Sequence, residues 1–203
     1  TAPGLVSAEG FSAGALLAAH VLNKVPQALA AALLRRRVAR FPDRNTLRLL
    51  THNVQVDKWN GYQLECIDAP ETIYTAEGDG PKGEVEFLQK NLVTPTVLRS
   101  QVGARLTVTA NVPNDQSGLR AANGDMGTVL ECDDGKVTVK LDGGQILLVE
   151  PHTWEFDPTA EIETGWFRQI PLRLAWAATI HKSQGLTLDS ALVDIRAARE
   201  PGQ

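Results

Sequence analysis

Apolar positions recur at helical spacing over the first part of the chain. Between residues 12 and 40 they follow one another at intervals of three and four, and Pro26 interrupts the pattern. Such spacing predicts amphipathic helices, so we expect two of them here, the first capped by Ser12. The later elements predicted before residue 100 are a strand over 47–51, a helix that begins at Asn53, a strand over 72–75, a loop over 76–83 and a helix over 84–90.

The period of the pattern changes from about 3.6 to two near residue 103. Leu106 and Val108 alternate with polar neighbours, and Val137 and Val139 do the same further along. Strict alternation is typical of strands with one buried face. Tight-turn sequences separate these runs, at 123–125, 133–135 and 142–144. Several short strands joined by such turns predict a small antiparallel barrel over 106–168.

The segments after this all-β stretch have the pattern of an α/β protein. We predict a strand over 170–174, a helix over 175–184 that Gly185 ends, and a strand over 191–195. The last run is short and continuously apolar, which is typical of a strand buried on both faces of a parallel sheet. The predicted fold class is therefore α/β, with a partial parallel sheet, an inserted β-barrel and N-terminal helices.

Composition narrows the class of protein. The 203 residues are 43% hydrophobic and 22% charged, with a net charge of −4, which excludes disordered, collagen-like and coiled-coil chains. Because the net charge is negative, nucleic-acid binding would need a local basic patch. Cys66 and Cys132 lack metal-ligand spacing and suit a reducing cytosol. The apolar run at 13–25 is too short to span a bilayer and follows no basic stretch, so we expect a cytoplasmic protein without a membrane partner.

Two basic or polar clusters are candidates for contacts with phosphate. Six Arg and a single Asp lie between residues 35 and 48; they are either a solvated helix end or a phosphate-binding patch. The second cluster, within 171–195, consists of Thr179, His181, Lys182, Ser183 and Gln184. Open parallel sheets bind ligands beyond the carboxyl ends of their strands, where such side chains suit phosphate. An ordinary amphipathic helix would contain the same residues, and the residue types leave both interpretations open.

Four segments resemble the superfamily-one DNA helicases of the 5′→3′ RecD-like branch. The string LAWAATIHKSQGLTLDSALVDI at 174–195 is similar to motif V of that family, in which A-x-T-I-H-K-S-Q-G precedes a hydrophobic strand. The other segments, in family order, are LRLLTHNVQVDKWN at 47–60, VGARLTVTANV at 102–112 and AANGDMGTVLE at 121–131. The resemblance covers about 47–203. It implies the second RecA-like domain at 47–105 and 169–203, an SH3-like barrel at 106–168, and a helical segment at 1–46.

The resemblance also implies roles for single residues, in a helicase of DNA repair or recombination. The positions that would contact single-stranded DNA are Thr51, Asn53, Thr179, His181, Lys182 and Ser183. Gln184 and Gly185 would approach the ATP cleft between this domain and a first RecA-like domain. No position is expected to be catalytic or to hold a metal.

Other parts of the family's motor are not found in the sequence. It has no G-x-x-x-x-G-K-[ST] phosphate loop, and the string GDGPKGE at 78–84 has the wrong spacing. The Y-V-A-L-S-R motif with the arginine finger is not present either. Phosphoryl transfer needs the phosphate cradle, the metal and the stabilising Arg together. We therefore expect ATP and Mg²⁺ to act only in an intact helicase, and this chain, as an excised domain or truncated product, not to hydrolyse ATP alone.

These observations leave two main hypotheses. The first is a C-terminal motor-domain fragment of an ATP-dependent RecD-like helicase, which grips single-stranded DNA and supplies part of the ATP cleft. The alternative is a stand-alone nucleic-acid-binding or protein-interaction module that has lost motor function. A third hypothesis, an unrelated enzyme with a barrel insertion, has no visible catalytic set to support it.

Overall fold

The computed structural model describes residues 5–9, 46–113, 120–160, 163–183 and 190–194. The chain divides into two compact units, one of Thr1–Gln63 with Ala175–Gln203 and one of Leu64–Leu174. The helices predicted over 12–40 lie outside the described residues, as do five of the six Arg of the basic cluster. No helix in the described part is long and apolar enough to cross a membrane.

Most of the regular elements in the described part are β-strands. They are β1 (Leu5–Glu9), β2 (Leu47–Leu50), α1 (Asn53–Glu65), β3 (Thr72–Thr75), β4 (Glu77–Asp79), α2 (Lys82–Asn91), β5 (Val97–Ser100), β6 (Arg105–Val108), β7 (Val112–Pro113), β8 (Arg120–Ala121), β9 (Met126–Asp133), β10 (Lys136–Leu141), β11 (Ile146–Val149), β12 (His152–Glu155), β13 (Trp166–Gln169), β14 (Leu172–Leu174), β15 (Ala177–Thr179), a 3-10 helix (His181–Ser183) and β16 (Ser190–Asp194).

The first unit is built on a four-stranded sheet in the order β1-β16-β2-β15. Strand β2 runs parallel to both β15 and β16, and β1 is antiparallel to β16. Leu47, Leu49, Ala178 and Leu192 are buried in it. The strands predicted at 47–51 and 191–195 are therefore confirmed, and so is the helix predicted to begin at Asn53.

The helix predicted over 175–184 is wrong. The chain forms β15 there, followed by the 3-10 helix. Residues 177–179 pair in register with Arg48, Leu49 and Leu50 of β2, so the backbone groups on that side of β15 are satisfied by a neighbouring strand. Ala favours helices in isolation, but pairing within the sheet overrides that preference. The prediction failed because the partner strand is more than 120 residues away in the sequence.

The second unit contains a five-stranded antiparallel sheet in the order β11-β10-β9-β6-β14. The alternating positions that the sequence indicated, Leu106, Val108, Val137 and Val139, are all buried. Val129, Leu147 and Val149 are buried as well, and on β6 so are the intervening Arg105 and Thr107. Smaller sheets join β12-β13-β4, β3-β5 and β7-β8. Among the described residues the strands form no closed barrel, since β11 and β14 are the edges of the large sheet.

At two positions in this sheet, steric limits require glycine rather than a larger residue. Gly135, between β9 and β10, has φ = +78°, a conformation that L side chains rarely adopt, and it closes the hairpin turn. Gly127 of β9 faces its partner strand so closely that a Cβ there would lie 2.6 Å from the carbonyl oxygen of Lys140. The backbone angle therefore explains the glycine of the turn predicted at 133–135, and the close approach of Lys140 explains the glycine at 127.

The loop predicted over 76–83 is wrong in part, because it contains β4. This strand pairs with β13 through its backbone, while all three of its residues are exposed. A strand without a buried side chain leaves no hydrophobic pattern in the sequence. The strand predicted over 72–75 and the helix predicted over 84–90 are both confirmed, the latter as the longer α2.

Candidate nucleic-acid interface

The two predicted DNA-contact segments meet at one edge of the first unit's sheet. Thr179 at the end of β15 is the register partner of Leu50 at the end of β2, and the N–H of Ile180 donates to the carbonyl of Leu50 at 3.0 Å. Because β2 and β15 are parallel neighbours, the residues after each strand leave the sheet at its carboxyl edge. The structure therefore brings Thr51 close to the backbone that leads from Thr179 to Ser183.

On the β2 side, the chain turns directly into α1. The carbonyl of His52 accepts the N–H of Gln55 at 3.1 Å and that of Val56 at 3.2 Å, so the helix starts immediately beyond the edge. Asn53, its first residue, is exposed, and Thr51 is half-buried. The amino end of α1, with its partial positive charge, thus lies at the carboxyl edge of the sheet.

On the β15 side, two side-chain hydroxyls form hydrogen bonds with the backbone of the turn at 180–183. Thr179 is buried, and its Oγ1 accepts the N–H of Lys182 at 3.3 Å. Ser183 is fully buried and its hydroxyl donates to the carbonyl of Ile180 at 2.7 Å. The side chain of Lys182 is exposed. The side chain of His181, and Gln184 and Gly185 as a whole, lie outside the described residues.

This geometry divides the predicted contact residues by what their side chains do. Lys182 and Asn53 present their polar groups at the surface, whereas the hydroxyls of Thr179 and Ser183 bond to the backbone of the turn. An ammonium and an amide at a sheet edge suit contacts with phosphate and sugar, which position a strand without reading its sequence. The Thr179 hydroxyl fixes the backbone of Lys182, and the Ser183 hydroxyl fixes that of Ile180.

Asn60 is a residue of this site that the sequence interpretation did not single out. It is buried in α1, its Nδ2 donates to the carbonyl of Ala177 at 3.1 Å, and its Oδ1 accepts the N–H of Ala177 at 2.8 Å. Since β15 is the edge strand of the sheet, these bonds satisfy backbone groups that point away from β2. The pair attaches α1 to β15. The V-D-x-x-N string that ends at Asn60 was the available indication.

Arg48 is the member of the basic cluster that the described part contains. Its guanidinium carbon lies 3.7 Å from the ring centroid of Trp59 on α1, a cation–π geometry. The centroid of Tyr62 lies 6.0 Å from that of Trp59. Cation and rings therefore form one group beside the same sheet.

A metal site in the described part of the chain would need a cluster of side chains that bind metal ions. No group of three or more His, Cys, Asp or Glu side chains there is arranged to hold a metal ion.

Comparisons with known proteins agree on one helicase type. No family model matches the chain. The ATP-dependent DNA helicase Pif1 of Bdellovibrio bacteriovorus is 31% identical over 156 residues, which are 77% of this chain and 35% of that protein. The crystal structure of the Pif1 helicase from Candida albicans superposes with a TM-score of 0.69 at 26% identity, covering 93% of this chain and 48% of that one. The chain is of the superfamily-one, Pif1 helicase type.

The Pif1 type is a 5′→3′ helicase family related to RecD, so it refines the resemblance found in the sequence. A further solved structure is the Pif1 helicase from Bacteroides in complex with ADP-AlF3 and ssDNA. It superposes with a TM-score of 0.58 at 26% identity, covering 89% of this chain and 42% of that one. The α/β fold with mixed sheets is that of a helicase domain. The chain spans about a third of the length of the first curated relatives that it matches.

Proposed function

We propose that this chain is a motor-domain segment of a Pif1-type, ATP-dependent DNA helicase, in which it holds single-stranded DNA. The observation that carries the proposal is the meeting of two strand ends at one edge, where Thr51 follows β2 and the 180–183 turn follows β15. A strand crossing this edge would meet exposed Asn53, exposed Lys182 and the amino end of α1. The Bacteroides relative that contains ssDNA supports the choice of ligand.

The proposed contacts are with the DNA backbone rather than with base edges. The ammonium of Lys182 neutralises a phosphate, and the first N–H groups of α1 together with the Asn53 amide donate to phosphate or sugar oxygens. Thr179 and Ser183 keep the turn in shape through their bonds to Lys182 N and Ile180 O. Such contacts predict binding that is insensitive to sequence and weakened by salt.

We propose that ATP binds only in the intact helicase, which would include a first RecA-like domain. The name of the relatives includes ATP dependence, and Gln184 and Gly185 are proposed to approach the nucleotide at the interface with a first RecA-like domain, which would be this segment's partner. The phosphate loop is not in this sequence. We assign the chain a share of the ATP cleft and of the proposed cytoplasmic repair or recombination activity, not ATP hydrolysis by itself.

The domain organisation is proposed along the same lines. The RecA-like domain would comprise 47–105 and 169–203, and 106–168 would be an SH3-like module built on β6 and the β9–β11 meander. The alternating burial along β9–β11 and the tight hairpins between these strands support such a module. The segment 1–46 would precede the motor domain.

A titration with single-stranded DNA tests the proposed function. Fluorescence anisotropy of a labelled oligo-dT should report binding at low ionic strength that falls linearly in a plot of log K against log salt. A hairpin duplex of the same length, as the control, should bind more weakly. If oligo-dT shows no salt-dependent binding even at low ionic strength, the proposal fails. Binding to partner proteins alone would then favour the interaction-module alternative.

A further inference from the structure

Helix α1 carries a half-buried ring, Trp59, and an exposed ring, Tyr62, and two cations lie beside them. The guanidinium of Arg48 lies 3.7 Å from the centroid of the Trp59 ring. Tyr62 lies 6.0 Å from Trp59 with a 42° angle between the ring planes, and it is 57% exposed. Lys58, also exposed, is one helical turn before Tyr62 and hence on the same side of α1.

Single exposed aromatic residues are common on protein surfaces and need no explanation. This group differs because rings and cations occur together, which is the composition of surfaces that bind single strands. In such surfaces the bases stack on aromatic rings while positive side chains neutralise the backbone. Stacking tolerates any base, as a translocating motor requires.

The group lies within reach of the proposed DNA edge. Asn53 stands at that edge and Trp59 six residues further along α1, which corresponds to about 9 Å of rise along the helix axis at 1.5 Å per residue. Roughly three stacked nucleotides cover this distance at about 3.4 Å each. At 3.6 residues per turn, Trp59 and Asn53 lie on different faces of α1, so a strand held at Lys182 and Asn53 reaches the aromatic group by crossing the surface of this helix within the same compact unit.

We propose that Trp59 and Tyr62, with Arg48 and Lys58, form a stacking subsite for the bases of single-stranded DNA that extends the carboxyl-edge site. This inference rests on the proposed function. Arg48 fixes the indole of Trp59 by stacking on it, and Tyr62 offers the more accessible ring face. The subsite adds affinity through bases, whereas Lys182 and Asn53 add it through the backbone.

The experiment compares an oligo-dT with an abasic oligonucleotide of the same length, which has the same phosphates but no bases. Both are titrated by anisotropy against the full chain, Tyr62→Ala and Tyr62→Phe. The matched control is Phe87→Ala, an aromatic residue of α2 with 53% exposure in the other compact unit. Because Tyr62 is so exposed, its substitution leaves the fold intact, and thermal melting verifies this.

Tyr62→Ala should weaken oligo-dT binding about five- to 150-fold, the range for loss of one stacked base. It should change binding of the abasic strand less than twofold and leave the salt slope unaltered. Tyr62→Phe and Phe87→Ala should bind like the unchanged chain. Lys58→Ala should instead lower the salt slope by about one on both strands.

Two results separate the possible failures. If the unchanged chain binds oligo-dT but Tyr62→Ala binds it equally well, or loses the same affinity for the abasic strand, the stacking subsite is wrong and the edge site stands. If the unchanged chain binds neither oligonucleotide, the proposed function itself is wrong and the subsite with it.

Discussion

The side-chain amide of Asn60 bonds to both backbone groups of Ala177, in the way that a neighbouring strand would. One bond of 2.8 Å and one of 3.1 Å join residues 117 positions apart. They close the open edge of β15, the strand that leads into Thr179 and Lys182. The buried amide of Asn60 thus links α1, which follows Thr51, to β15, which precedes Lys182.

Removing this amide should destabilise the first unit. Asn60→Ala leaves the N–H and the carbonyl of Ala177 without these bonds, and an unsatisfied buried polar group costs about 1–3 kcal/mol. Urea unfolding should therefore show a lower midpoint with an unchanged slope. Because β15 loses its attachment to α1, single-stranded DNA binding should weaken as well. A variant with wild-type stability would show that the two bonds contribute nothing net.

Asn60→Asp makes the same link depend on pH. At pH 7 its carboxylate accepts from Ala177 N but repels the carbonyl, and burial raises the pKa of this carboxyl above the usual value of about 3.9. The folded state then binds the proton more tightly than the unfolded state. The stability deficit relative to the wild type is full above the folded pKa and shrinks as pH falls towards 3.9. Urea midpoints at pH 7 and pH 4.5 measure it, with Asn60→Ala, whose deficit stays constant, as the control. An equal deficit at both pH values for Asn60→Asp would contradict the prediction.

Lys182→Ala should weaken DNA binding without changing sequence preference. An exposed ammonium that contacts one phosphate contributes about one unit to the slope of log K against log salt. Titration of oligo-dT and oligo-dC at several salt concentrations should show equal losses and a slope lower by about one. Lys82→Ala is the matched control, because Lys82 is 89% exposed and lies in the other compact unit. An unchanged slope would assign Lys182 a structural role.

The purified chain should not turn over ATP. Its sequence has neither the phosphate loop nor the arginine-finger motif that phosphoryl transfer needs. A phosphate-release assay with and without oligo-dT should give the rate of a buffer blank. Turnover that is abolished by Gln184→Ala would overturn the expectation and place a complete nucleotide site in this chain.

Asp142→Ala should destabilise the five-stranded sheet. Both oxygens of Asp142 accept from the guanidinium of Arg105, whose side chain is 8% exposed while that of Asp142 is 54% exposed. Removing one partner leaves a charge in a buried position, and the exposure of Asp142 limits the cost to about 1–3 kcal/mol. Urea unfolding measures it. Glu86→Ala, which breaks the exposed pair with Lys82, should change stability by less than about 0.5 kcal/mol; losses of equal size would refute the argument.

Parts of the fold followed directly from local patterns. Alternating valines and leucines predicted β6 and β10, and the continuous apolar run at 191–195 predicted β16. Asn53 marked the start of α1. Strand β10 buries every second side chain and β16 buries the adjacent Ala191 and Leu192, so a local hydrophobic pattern records both strands in the sequence. Strand β4 buries none and was missed.

By itself, the sequence indicated the superfamily-one, RecD-like helicase branch and the alternating strands, and it predicted which residues contact DNA, because motif strings and hydrophobic periods are local properties. Only the tertiary structure decided that 177–179 is a strand, that Asn60 binds its backbone, and that Thr51 and Lys182 leave the same edge of a sheet. Those facts depend on hydrogen bonds between segments more than a hundred residues apart. Such pairings satisfy the backbone only after the chain has folded, and no periodicity records them in advance.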